Sequence, residues 1–184
     1  MTIGEAIAFI RPAVGPASGA WADIGAGSGT FTEALAAILG PTGSVVAVDR
    51  DPGAIAALER LTGPVASRAA ITAVAGDLAD LNAIPELGRT ALDGVLFATS
   101  LHYQPNPEKA LATAGSLMRP GGRVVVVEYD RASRNPWVPH PLPTARLRRA
   151  FDRAGLGAPE IVARRPSAYQ GELYCAVAFV VRDV

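Results

Sequence analysis

The chain has 184 residues, 17 basic and 17 acidic side chains, and 49% hydrophobic residues. That length can bury one sizeable core, so a single domain over 1–184 is expected. No apolar run reaches the roughly 20 residues of a membrane span, and no basic-then-apolar leader opens the chain. The lone cysteine, Cys175, excludes an intrachain disulfide or a multi-cysteine zinc site. A cytoplasmic protein with no membrane partner and no metal is the expectation.

The zero net charge hides an asymmetry. Residues 1–118 carry 6 Lys/Arg and 11 Asp/Glu, whereas residues 119–184 carry 11 Arg and 6 Asp/Glu. A basic C-terminal face for an acidic substrate or RNA is one reading; ordinary solvated helix and strand surface is the other, and the more economical.

In chain order, residues 20–24 (AWADI) read as a first strand running into a glycine loop, 25–29 (GAGSG). Phe31, Leu35, Ile38 and Leu39 then recur at helical spacing until Gly40-Pro41 ends the run. Residues 45–48 (VVAV) predict a second strand. Asp51-Pro52 is a cap with a first-turn proline, and Ile55, Leu58 and Leu61 form a stripe behind it. Residues 70–74 (AITAV) and 94–98 (GVLFA) predict strands three and four. Asn106-Pro107 repeats the capping device before Leu111, Ala114 and Leu117, and 123–129 (RVVVVEY) predicts a fifth strand. Residues 131–143 hold four prolines and read as a loop packed against a site. Residues 144–154 form a helix stopped by Gly155. Residues 159–165 and 173–181 are strands joined too closely for a crossover helix, hence antiparallel neighbours. The expected fold is α/β: a doubly wound, Rossmann-like sheet of seven strands, mostly parallel, with an antiparallel C-terminal strand.

Such sheets bind ligands at the C-terminal strand ends. Polar residues collect there: the 25–29 loop, Asp49, Gly76-Asp77, the 99–103 run and Glu128-Tyr129-Asp130. Asp49, just past four apolar residues, can accept bonds from both hydroxyls of a ribose. Asp77 is placed for an adenine amine, with Leu78 to cover the ring. A dinucleotide loop wants G-x-G-x-x-G; here the third glycine comes one residue early and Thr30 follows. Asp23 before the loop would repel a diphosphate and suit an ammonium group. An amino acid joined to adenosine meets these demands.

On these residues the chain resembles the class I S-adenosylmethionine-dependent methyltransferases along almost its whole length. Asp23 to Gly29 matches the acid-x-G-x-G-x-G motif, Asp49 the acid ending strand two, Gly76-Asp77 the acid after strand three, and 117–122 (LMRPGG) the turn before strand five. The resemblance implies S-adenosylmethionine as cofactor, released as S-adenosylhomocysteine. It implies that Asp23 holds the methionyl end beside Gly25, Ala26, Gly27 and Gly29. Arg50 would flank adenine and ribose, and Ala98, Thr99 and Leu101 would line the cofactor's other side.

The reaction so implied is in-line methyl transfer, with the protein mainly positioning the nucleophile. His102 is the best candidate for a base; packing or backbone bonding is its other reading. Tyr103, Tyr129 and Trp137 could wall a substrate pocket, Tyr169 could reach it, and His140 is unassigned. Residues 99–103 lack the Asn/Asp-Pro-Pro-aromatic run of an adenine-N6 enzyme. Cys175 is misplaced for a cytosine-C5 nucleophile, and no magnesium-binding acid set is evident. A small-molecule acceptor is left by elimination, its pocket covered by Ile3 to Ile10 and the 131–143 loop. The rivals are an RNA methyltransferase using the Arg-rich half, an NAD(P)-dependent reductase, and a cofactor-binding subunit without catalysis.

Overall fold

The structure, a computed structural model, describes residues 1–16, 18–63, 65–167 and 171–181. Its elements follow the expected alternation: α1 (Ile3–Val14), β1 (Ala20–Ile24), α2 (Thr30–Leu39), β2 (Ser44–Asp49), α3 (Pro52–Glu59), β3 (Ala70–Ala75), β4 (Leu92–Ala98), α4 (Pro107–Leu117), β5 (Met118–Tyr129), α5 (Thr144–Arg153), β6 (Glu160–Pro166) and β7 (Glu172–Phe179). Between β3 and β4 the chain makes only 3-10 turns, so no α-helix covers that crossover.

The seven strands lie in the order β3-β2-β1-β4-β5-β7-β6. β1 pairs in parallel with β2 and β4, and the order reverses there. β7 runs antiparallel to both β5 and β6. The central strands are covered on both faces, which explains their unbroken apolar runs: Val124 to Val127 are all fully buried. Two apolar layers result. Phe97, Leu101, Phe151 and Tyr174 lie in one, Trp21, Leu35, Leu96 and Val125 in the other.

Three local expectations are corrected. The 117–122 turn lies inside β5: Met118 pairs with Leu92, residues 119–122 bulge out, and pairing resumes at Arg123 with Gly94. The bulge is held by Gly121 N–H to the Val180 carbonyl and Val180 N–H to that of Gly122. Asn106 makes no side-chain cap bond, and Pro107, with its fixed φ, starts α4 unaided. The N-terminal segment is not mainly a cover: α1 buries Ala6, Phe9, Ile10, Ala13 and Val14 against α2 and the β5–β7–β6 side of the sheet. A capping box of Thr2 and Glu5 starts that helix. No helix among the described residues is long and apolar enough to cross a membrane. Tyr169 lies outside the described residues.

Candidate active site

A cavity of about 660 Å3 opens at the C-terminal ends of β1, β2, β3 and β4, where the strand order reverses. It is lined by Gly25, Ala26 and Gly27 of the glycine loop, by Asp49 and Arg50, by Gly76, Asp77 and Leu78, and by Ala98 and Thr99. Tyr103, expected on the acceptor side, lines it as well. Asp23, Gly29 and Leu101 do not: Asp23 and Leu101 are fully buried, and Gly29 packs its Cα against Leu61 and Leu58. Asp51, Ser28, Thr30, Phe31, Ser100, Gln104 and Met1 complete the lining; Ser28 belongs to the expected glycine loop and Ser100 to the expected 98–101 wall, whereas Gln104 and Met1 carry no sequence signal.

The loop geometry follows from its glycines. Gly25 has φ +76°, and a Cβ there would stand 2.5 Å from the Ser100 Cβ, so only glycine lets β1 end beside β4. Ser100 fixes that approach by donating its hydroxyl to the Ile24 carbonyl at 2.7 Å. Gly27, φ +55°, has open space where a Cβ would be, on the cavity side.

Four of the five loop amides bond within the protein. Gly25 and Ala26 donate their N–H groups to the Val48 carbonyl, Gly29 to that of Ala26, and Gly27 to Asp49 Oδ2 at 2.8 Å. Those amides are satisfied within the protein and unavailable to phosphate oxygens. Asp49 also accepts from Asp51 N–H through Oδ1 at 2.9 Å. The carboxylate is thereby oriented, with acceptor capacity left on each oxygen. Asp51 caps α3 through Ala54 N–H, freeing Asp49 from that duty. Asp77 accepts from Ala79 N–H and pairs with Arg50 at 3.6 Å, an exposed contact of little energetic weight.

Asp23 is the unusual group. Its carboxylate is fully buried, accepts from the Thr32 hydroxyl at 2.7 Å on Oδ2, and has no partner on Oδ1. Burial pushes its pKa up to about 7; the Thr32 bond works against this and the Asp49 charge adds to it. A buried acceptor without a donor costs about 1–3 kcal/mol, so the arrangement wants a donor, best a cationic one. These observations fit an adenosyl amino acid: a carboxylate poised for a ribose, an acid and an apolar cover at the base end, and an incomplete acid at the other.

A second cavity, about 270 Å3, adjoins the first and shares Thr99 and Tyr103 with it. Its other walls are His102, Tyr129, Arg131, Asn135, Trp137 and Val138, which brings the three expected aromatics and His102 together. At the junction Thr99 has φ +53°, the one positive φ outside glycine among the described residues. A β-branched residue held there stores about 1–3 kcal/mol, a strain characteristic of functional sites.

His102 is 2% exposed and Glu128 0%. The His102 Nδ1 lies 3.0 and 2.8 Å from the two Glu128 carboxylate oxygens, and the His102 backbone N–H also donates to Oε1 at 3.1 Å. A carboxylate on Nδ1–H leaves Nε2 as the basic nitrogen. Sequence reasoning noted Glu128 at its strand end but missed this pairing, which only the β4–β5 register reveals. The ring also lies 4.4 Å from that of Tyr103 and 5.8 Å from that of Tyr129.

The 131–143 loop that walls this cavity is pinned along its length. His140 N–H donates to the His102 carbonyl, the buried Tyr174 hydroxyl to that of Leu142 at 2.6 Å, and Arg146 to those of Pro141 and Pro105. Asp130 and Thr144 clamp its two ends. Burial alone would raise Asp130, but its bonds to Arg164 and Thr144 together hold it below the ordinary range. Several C-terminal arginines are likewise engaged: Arg119 with Asp93, Arg123 with the α1 carbonyls of Ala13 and Val14, Arg164 with Asp130 and Glu172, and Arg165 with Glu5.

Residues 22–124 match the family model of the methyltransferase domain. No curated protein matches the chain. Among similar solved structures is an S-adenosylmethionine-dependent methyltransferase from Thermotoga maritima, named as a possible histamine N-methyltransferase. It is 16% identical, with a TM-score of 0.73 over 97% of this chain and 88% of that one. Another, from Methanosarcina mazei, is 14% identical with a TM-score of 0.71, over 95% and 97%. An arsenic(III) S-adenosylmethionine methyltransferase from Chlamydomonas reinhardtii is 18% identical with a TM-score of 0.71; the match covers 89% of this chain but only 63% of that protein. At these identities the likeness speaks for the fold.

Proposed function

The chain belongs to the methyltransferase-domain family and is a class I S-adenosylmethionine-dependent methyltransferase, and we propose that it methylates a small molecule held in the second cavity. The observation that carries this reading is the shared wall: Thr99 and Tyr103 face both cavities, so a ligand in each would meet there. When bound, S-adenosylmethionine supplies a methyl carbon on a cationic sulfonium, which an acceptor lone pair takes as the S–CH3 electron pair stays on sulfur.

In this reading Asp49 binds the ribose hydroxyls, Asp77 and Leu78 the adenine, and Arg50 flanks both. Asp23, completing its empty valence, holds the ammonium end beneath the 25–29 loop. Ala98 and Thr99 form the opposite wall, with Leu101 packed behind them. Tyr103, Tyr129 and Trp137 hold a flat acceptor against the junction, where orientation supplies most of the catalysis. His102 takes the acceptor's proton on Nε2, with Glu128 stabilising the imidazolium that forms.

Two alternatives lose ground on particular residues. The buried Asp23 and the inward-bonded amides of Gly25, Ala26, Gly27 and Gly29 disfavour a nicotinamide dinucleotide. Burial pushes the Cys175 thiol up to about 12, so it offers no thiolate to a metalloid acceptor.

The test is transfer from tritiated S-adenosylmethionine into a size-fractionated cell extract. Label is expected in the fraction below about 1 kDa; label in RNA or protein alone would overturn the acceptor class.

A further inference from the structure

Among its described lining residues the second cavity carries the guanidinium of Arg131 and no counter-charge. Nearby acids are engaged elsewhere: Glu128 on His102, and Asp130 on Arg164 and Thr144. Among the described residues Arg131 has no acidic partner. It is steered by its own loop, donating Nε–H to the Ser133 carbonyl at 2.9 Å and Nη2–H to the Ser133 hydroxyl at 3.2 Å. The bonds orient the guanidinium without neutralising it.

Asn135 adds a second donor. Its Oδ1 accepts the N–H groups of both Trp137 and Val138, at 2.9 and 2.7 Å. Two donors on one atom identify that atom as oxygen, so the amide NH2 faces the other way. Besides Thr99 and Val138 the remaining lining is aromatic: the His102, Tyr103 and Tyr129 rings, and Trp137, a residue 76% exposed. An indole left so bare beside an unpaired guanidinium is a surface that a planar anion would cover.

Resting on the acceptor reading above, we infer that the second cavity selects an aromatic carboxylate. The ring stacks among the tyrosines and Trp137, the carboxylate meets Arg131 and Asn135, and a hydroxyl or ring N–H is presented towards His102. A cationic amine finds no counter-charge in this lining and is repelled by Arg131. A neutral ring keeps the stacking but forgoes the fork of donors.

Calorimetry tests this without turnover. The protein is first saturated with S-adenosylhomocysteine. It is then titrated with 2-, 3- and 4-hydroxybenzoate and 4-hydroxycinnamate, and with the same rings bearing methyl or aminomethyl in place of the carboxylate. Expected is a ranking of carboxylate over neutral over amine, with at least about tenfold between first and last, narrowing as salt is raised. Arg131→Gln should lose the carboxylate preference about tenfold while neutral phenols bind as before; Arg131→Lys should retain most of it. Equal affinity across the three charge types, a parallel loss for neutral and anionic rings in Arg131→Gln, or no binding by any carboxylate would overturn the inference. Absence of S-adenosylhomocysteine binding in the first step would instead overturn the underlying cofactor-site reading.

Discussion

Replacing Asp23 by asparagine separates an acid that holds the cofactor from one that only props up its loop. With the carboxyl pushed up to about 7 from 3.8, the folded chain keeps a proton that the unfolded chain has lost. The cofactor-free protein should therefore lose stability as pH rises from about 4 to 7, by at most roughly 4 kcal/mol at 1.36 kcal/mol per unit. A bound ammonium reverses the sign, because it favours the ionised acid and expels the proton. S-adenosylhomocysteine binding should release up to one proton below about pH 7, the release fading above it, and should tighten several-fold as pH rises towards 7. This window lies below that in which an ordinary α-amino group titrates. Calorimetry in buffers of differing ionisation enthalpy reads the proton count directly. Asp23→Asn should abolish the linkage and bind more weakly above pH 7. A proton count near zero in the wild type, or one unchanged in Asp23→Asn, would refute the role given to this acid.

Asp49→Ala removes a carboxylate expected to accept two hydroxyl bonds, and should weaken S-adenosylmethionine binding by about 2–4 kcal/mol in a chain that still folds. Thr99→Gly relieves the positive φ and should raise thermal stability by about 1–2 kcal/mol while slowing methyl transfer, a trade visible by scanning calorimetry against turnover. Tyr174→Phe leaves the Leu142 carbonyl without its buried donor; it should cost about 1–3 kcal/mol and expose the 131–143 loop to proteolysis without changing S-adenosylhomocysteine affinity. Glu128→Gln should lower turnover and shift its pH profile if His102 acts as base, whereas a merely structural histidine would leave the profile in place.

Much of the fold was legible because its signals are local. The unbroken apolar runs gave the buried strands, Asp51-Pro52 gave the start of α3, and the short link before Gly171 gave the final antiparallel pair. The first cavity was legible for a related reason: in a doubly wound sheet the strand ends are known once the strands are, so Asp49 and Asp77 could be placed from sequence alone. What escaped depends on register and distant packing. Glu128 reaches His102 because β5 lies beside β4 in one register, and nothing local marks the pair. Arg131 and Asn135 read as loop residues until the anchors at His140, Leu142 and Thr144 fold that loop over the second cavity. The strain at Thr99 carries no sequence signal, since threonine is a poor choice for positive φ. The role given to the first helix failed differently: Ala6, Phe9 and Ile10 are core residues, and of the N-terminal segment only Met1 touches the first cavity.

The arrangement of the two cavities is tested most directly by a crystal structure of the S-adenosylhomocysteine complex. The ribose hydroxyls are expected on Asp49, the adenine beside Asp77 and Leu78, and the sulfur at Thr99, facing His102 and the second cavity. A nucleoside lying the other way round, with its sulfur at the Arg50–Asp77 rim, would contradict the account.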